Sequence, residues 1–169
     1  MRSQWLDDDT MGHLLAALMP ANRLALECSH RYGMRIGDVL ALKTQDVEKG
    51  DFSYVEEKTG KRRRMHLTPD FQARLLRQSG RVYIFQGRSS WKRHRTRQAV
   101  YKDLKRIATA YRLRGISPHT ARKVYAVKRY KACGDIRRVQ RLLNHSDEAV
   151  TVLYALADEL SERSQKWQE

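Results

Sequence analysis

The amino-acid sequence predicts a mainly α-helical fold with one small antiparallel β-sheet, an α+β domain. Three observations predict it: apolar residues recur at helical spacing through most of the chain, two short segments flank a glycine-containing turn, and only three prolines interrupt 169 residues. In order, residues 11–19 (MGHLLAALM) and 21–32 read as helices split by Pro20, and Ile36 to Leu42 as a further short one. Phe52 to Glu57 and Arg63 to Leu67 flank Lys58-Thr59-Gly60-Lys61, where glycine permits a positive φ, so this stretch is a hairpin with a basic tip. Thr68-Pro69 supplies an N-cap and a first helical residue for a helix to about Gln78. Val82 to Phe85 reads as a small buried strand, and Arg88 to Arg97 (RSSWKRHRTR), without apolar period, as an exposed loop in which Trp91 anchors to the core. Arg97 to Leu113 returns to helix, with Val100, Leu104, Ile107 and either Ala108 or Tyr111 on one face. After Gly115 and Ser117-Pro118, helices are predicted at His119 to Ala132, Asp135 to Leu143 and Asp147 to about Leu156, followed by a polar tail, 157–169.

A hydrophobic fraction of 41% with 31% charged residues fits a globular domain and argues against a disordered chain. No apolar run approaches the ~20 residues of a membrane span, and the start lacks the apolar centre of a secretory signal, so the expected location is cytoplasmic and no membrane partner is expected. Cys28 and Cys133 are too few for a disulfide framework and form no zinc-finger spacing with the six histidines; both are expected reduced and buried. Charge is the more informative quantity. Of 34 basic residues 26 lie between Lys58 and His145, a stretch holding only 3 of the 19 acidic ones. Basicity concentrated in this way attracts a polyanion, because each neutralised phosphate releases condensed counterions, and nucleic acid is the partner that charge alone points to.

Within the basic stretch and around it stands an ordered set of chemistry-bearing residues: Arg35 in Gly33-Met34-Arg35-Ile36-Gly37-Asp38, Lys58 twenty-three residues on, His119-Thr-Ala-Arg122, His145 in Leu142-Leu143-Asn144-His145-Ser146, and Tyr154 nine residues later. His-x-x-Arg alone is common, but the ordered set at these intervals resembles the catalytic domain of the tyrosine recombinases, the phage-integrase family, from about residue 20 to 156. Two positions depart from the usual pattern. Asp38 stands where glutamate is more frequent, and Asn144 where glycine commonly precedes the second histidine; asparagine is the side chain that best tolerates a left-handed backbone. Roughly thirty residues before Arg35 leave too little room for the helical core-binding domain that usually precedes the catalytic one. The expectation is therefore a single catalytic domain over 1–169, excised or minimal, with 1–19 as a lead-in; for the tail 157–169 the resemblance implies exchange with a neighbouring protomer, and docking on its own domain or fraying are the alternatives.

The resemblance implies strand cleavage and rejoining of double-stranded DNA through a 3′-phosphotyrosine, within a homotetramer on DNA. It also gives roles. Tyr154 is the nucleophile, and Arg35 and Arg122 are the phosphate clamps, for which a planar, permanently charged fork is suited. Lys58 is the general acid for the leaving 5′-oxygen, with Lys61 a rival in the same KTGKRRR run. His119 and His145 donate to non-bridging oxygens or move the tyrosine proton, and Asp38 orients neighbouring basic groups. No cofactor and no metal are implied, since fixed cations carry the charge stabilisation. Lys61, Arg62, Arg63 and Arg64 on the hairpin and Lys92, Arg93, Arg95 and Arg97 on the loop are the expected DNA-backbone contacts. Two other activities share parts of this pattern: a type IB topoisomerase-like enzyme and a catalytically silent DNA-binding module.

Overall fold

A computed structural model describes residues 6–143 of the chain. Helix α1 (Asp8–Ala16) begins at Asp7, whose carboxylate accepts the Thr10 N–H at 2.8 Å. Helix α2 (Pro20–Tyr32) starts at Pro20 itself, in the first turn where a missing N–H leaves no broken bond, so this proline opens the helix and does not stand outside it. Its N-terminus is capped from a distance. Asp103 accepts the Met19 N–H at 3.0 Å and the Asn22 side-chain amide at 2.7 Å, and Asn22 Oδ1 in turn accepts from Arg95 Nε at 2.6 Å.

Two short helices follow, α3 (Ile36–Leu40) and α4 (Thr44–Val47), the second unforeseen because four residues are too few to display a period. The hairpin is as expected: β1 (Asp51–Val55) pairs antiparallel with β2 (Arg62–His66), Asp51 opposite His66 and Val55 opposite Arg62. Helix α5 (Pro69–Gln78) buries Phe71 and Leu75, four apart on one stripe. The strand expected at Val82 to Phe85 does not form. Ile84 and Phe85 are buried as predicted, but the backbone makes only single bridges, Lys43 with Tyr83 and Gln86 with His94. Consecutive buried residues that turn inward without a ladder partner look like a strand in sequence, because periodicity cannot report whether a neighbouring strand exists.

Helix α6 (Arg97–Ala110) is capped by Thr96, whose hydroxyl accepts the Ala99 N–H at 3.2 Å, and buries Val100, Leu104, Ile107 and Ala108. Tyr111, the alternative to Ala108, faces solvent. The helix stops before Leu113 because Arg112 adopts a left-handed φ of 56°. Helices α7 (Pro118–Cys133) and α8 (Ile136–Leu142) close the described region. A reciprocal Ser117–Thr120 capping box starts α7, and Gly134 at φ 65° ends it. Asp135 accepts the Arg138 N–H at 3.0 Å and starts α8.

One apolar cluster unites α1 to α6 and the first half of α7, and a smaller one, Tyr125, Ala126, Val139 and Leu143, joins α7 to α8. Helices α2 and α7 pack against each other, and this contact positions the site. Cys28 is fully buried, whereas Cys133 is only half-buried near the end of α7, which corrects the expectation for that residue. Among the described residues no helix is long and apolar enough to cross a membrane. His145, Tyr154, Asn144, the helix expected at 147–156 and the tail 157–169 lie outside the described residues.

Candidate active site

The site begins at the end of α2. Gly33 holds φ 63°, ψ 28°, a left-handed turn that L side chains rarely adopt, and a Cβ there would come within 2.5 Å of the Tyr125 ring on α7. Ser29 Oγ donates to the Met34 carbonyl at 2.7 Å, and Arg63 donates to the carbonyls of Gly33 and Tyr32 at 3.1 and 2.6 Å. So pinned, the chain turns inward at Arg35, the N-cap residue of α3, and its side chain is buried. Arg35 Nη1 donates to Glu56 Oε2 at 2.7 Å.

Asp38, one turn into α3, accepts the Glu57 N–H at 3.0 Å and so holds the foot of the hairpin to α3. Burial is the largest influence on its carboxyl and pushes its pKa up; the Glu57 N–H pulls it down, Glu56 raises it, and Arg35 and Arg122 lower it. Arg35 at the start of α3 and Arg122 on α7 thus both favour the charged form of this carboxyl. Arg122 is 1% exposed and donates from Nη2 to the Leu143 carbonyl at 3.0 Å, tying α7 to the end of α8 immediately before Asn144-His145. His119, one helical turn ahead of Arg122, is exposed at the N-terminus of α7. Tyr54 belongs to the same cluster. Burial pushes its phenol up to about 12 against the opposing pull of the Arg63 charge, so it stays neutral at physiological pH.

Lys58 and Lys61 are both exposed on the turn between β1 and β2, and their exposure does not separate them. The expected DNA contacts divide into two groups. Lys61, Arg62, Arg64, Lys92 and Arg93 point to solvent. Arg63 turns inward to the α2 carbonyls and Arg95 to Asn22, whereas Arg97 is exposed, pairing with the exposed Glu57 and lying across Gly37. Alternation along β2 turns Arg63 in and leaves Arg62 and Arg64 out, which three consecutive arginines do not announce, and in the loop packing against distant Asn22 decides for Arg95. Trp91 does not anchor the loop in the core: it is 40% exposed, with the Arg81 guanidinium 4.4 Å and the Lys92 ammonium 5.4 Å from its ring centroid.

Glu56 is the residue that sequence reading missed. It is fully buried between Arg35 and the hairpin turn. A signal for it was present, since Phe52, Tyr54 and Glu56 share one face of an alternating strand, putting a carboxylate in line with two inward aromatics. Lys123, beside Arg122, is also buried. Among the described residues no three His, Cys, Asp or Glu side chains are arranged to hold a metal ion.

A helical domain that brings two buried arginines and a lysine-bearing hairpin to one locus defines the tyrosine-recombinase class of catalytic fold. The family model described as "Phage integrase family" matches residues 4–160, and the chain belongs to that family. It is 31% identical over 141 residues to the probable integrase/recombinase YoeC of Bacillus subtilis, covering 78% of this chain and 75% of that protein. The tyrosine recombinase XerD of Ralstonia nicotianae is 31% identical over 149 residues, 79% of this chain and 47% of that protein. Among solved structures, XerH recombinase bound to a palindromic difH substrate in a post-cleavage complex superposes with a TM-score of 0.72 at 22% identity, over 100% of this chain and 54% of that one. A lambda integrase dimer bound to a COC′ core site gives 0.69 at 20% identity, over 89% and 47%. The chain thus spans about half the length of the Xer relatives it matches and three quarters of YoeC.

Proposed function

We propose that this chain is a site-specific recombinase that cuts and rejoins duplex DNA through a covalent tyrosine intermediate. What supports the reading is that Glu56, at the foot of the hairpin that carries Lys58, holds Arg35, that Asp38 accepts the neighbouring Glu57 N–H, and that Arg35 and Arg122 both lower the Asp38 carboxyl. The Tyr154 oxygen attacks phosphorus, the bond to the 5′-oxygen breaks, and the products are a 3′-phosphotyrosine and a free 5′-hydroxyl. The phosphodiester energy is kept in the new ester, so no nucleotide cofactor is consumed. Arg35 and Arg122 neutralise the charge that builds on the non-bridging oxygens, an effect worth ~10²–10³ in rate per donor. Lys58 passes a proton to the departing oxygen, and His119 and His145 receive or steer the proton of Tyr154. Attack by the 5′-hydroxyl of another strand reverses the step and completes the exchange.

Residues 1–169 act as one catalytic unit in this reading, working on cytoplasmic DNA, with the tail 157–169 reaching a neighbouring protomer of a tetramer. Capture on nicked suicide duplexes tests the function: the wild-type chain should become covalently attached to DNA and Tyr154→Phe should not, while its duplex affinity stays within about twofold because no charge is removed. An adduct at wild-type level from Tyr154→Phe would falsify the assignment.

A further inference from the structure

Glu56 makes more connections than charge balance requires. Its Oε2 accepts from Arg35 Nη1 at 2.7 Å and from Thr59 Oγ1 at 2.8 Å, while Oε1 lies 3.7 Å from Arg63 Nη1. Its backbone closes the turn as well: the Glu56 N–H donates to the Lys61 carbonyl at 3.0 Å, and the Glu56 carbonyl accepts the Gly60 N–H at 2.9 Å. Lys58 therefore sits between two residues, Glu56 and Thr59, joined to each other and to Arg35 through one carboxylate oxygen.

We propose that Glu56 is a positioning residue that sets the orientation of the Arg35 guanidinium and, through the Thr59 hydroxyl, the turn that presents Lys58. The inference rests on the recombinase reading above. Two physical arguments support it. A guanidinium presents its donors in a rigid fork, so fixing Nη1 against a buried carboxylate fixes the plane and direction of the whole group. Buried ion pairs often add no net stability over apolar side chains of the same volume, so stability alone is a weak reason for a fully buried carboxylate at this point. An exposed lysine on a four-carbon stem, by contrast, needs its backbone held if its ammonium is to meet one leaving oxygen. Misplacement of a reacting group by about 1 Å can cost ~10²-fold in rate.

The test uses the full chain and nicked duplexes, selected from a randomised pool by covalent capture on the wild type, carrying either oxygen or sulfur at the bridging 5′ position. Thr59→Val keeps the size of a half-buried side chain and the Arg35–Glu56 pair, and removes only the hydroxyl. It should form adduct about tenfold more slowly on the oxygen substrate and within about twofold of wild type on the sulfur one, because a thiolate leaves without a proton. Glu56→Gln keeps shape and loses charge; it should be slow on both substrates, since sulfur does not repair a misplaced Arg35. Wild-type rates for both variants on the oxygen substrate overturn the proposal, and so does a Thr59→Val loss that sulfur leaves untouched. If Glu56→Gln does not fold, Thr59→Val decides alone. A folded wild type that captures no duplex from the pool defeats the recombinase reading and the positioning role with it, whereas normal capture with unaffected variants defeats the positioning role only.

Discussion

Arg122 and Cys28 show how burial gives opposite meanings to reactive side chains. Arg122 is buried, and its guanidinium, a fork that does not lose its proton in proteins, donates from Nη2 to the Leu143 carbonyl. Arg122→Lys preserves the charge and loses the fork, so cleavage of a captured duplex should fall by ~10²–10³ with duplex affinity changed only a few-fold. A loss of tenfold or less in single-turnover cleavage would reduce Arg122 to a structural tie between α7 and α8. Cys28, by contrast, has its thiol pushed up to about 12 by burial, so almost none is thiolate at neutral pH. Alkylation of the native protein should label half-buried Cys133 alone and reach Cys28 only in denaturant; mass mapping of the labelled peptides reads this directly.

The turn between α2 and α3 and the cap of α2 are element-scale devices. At Gly33 handedness alone makes alanine ~1–2 kcal/mol unfavourable, and the Tyr125 ring adds a steric conflict, so Gly33→Ala should lower the urea midpoint and slow cleavage together. A destabilised protein with full activity would mean that this turn does not place Arg35. Asp103 carries a pH signature. Burial raises its carboxyl, but hydrogen bonds from Asn22, Arg106 and the Met19 N–H outweigh that and hold its pKa below the ordinary value. A depressed pKa contributes stability above the unfolded-state pKa, and that contribution is lost as pH falls through the folded one. Asp38 runs the other way, since a raised pKa makes its contribution fall as pH climbs past the ordinary carboxylate range. Thermal melts against pH should therefore show the wild-type advantage over Asp103→Asn shrinking toward acid, and that over Asp38→Asn shrinking toward neutrality. Parallel profiles for the two variants would contradict the assigned directions. Both elements were legible in sequence as a glycine before Arg35 and a helix start near Pro20. Their partners, Tyr125 and Asp103, were not, because they lie about ninety and eighty residues away along the chain.

For the whole molecule the measurable consequence is how the basic stretch divides. If about six exposed residues of the hairpin, loop and site meet phosphates, log affinity for a random-sequence duplex should fall against log salt with a slope near about −5, a loss of ~10³ between 50 and 200 mM. Arg62→Ala should reduce that slope by about one. Arg63→Ala should leave it unchanged and lower stability instead, because this arginine serves the end of α2. Equal slope changes for the two would show that the inward and outward arginines are not distinct in solution.

Residue order alone makes legible the class, the longer helices and the hairpin in their order, and the identities and spacing of Arg35, Lys58, His119 and Arg122. Local signals carry these: helical period, caps, a glycine turn, and residue types whose chemistry suits phosphate. Long-range packing settles that Glu56 lies between Arg35 and the hairpin turn, that Asp38 receives the Glu57 N–H, that Arg63 and Arg95 turn inward, and that Ile84 and Phe85 are buried without a sheet. The reason is physical. A period reports which face of an element is apolar, but a buried charge is settled by whichever partner the packing of distant elements brings within about 3 Å, and no local pattern encodes that partner.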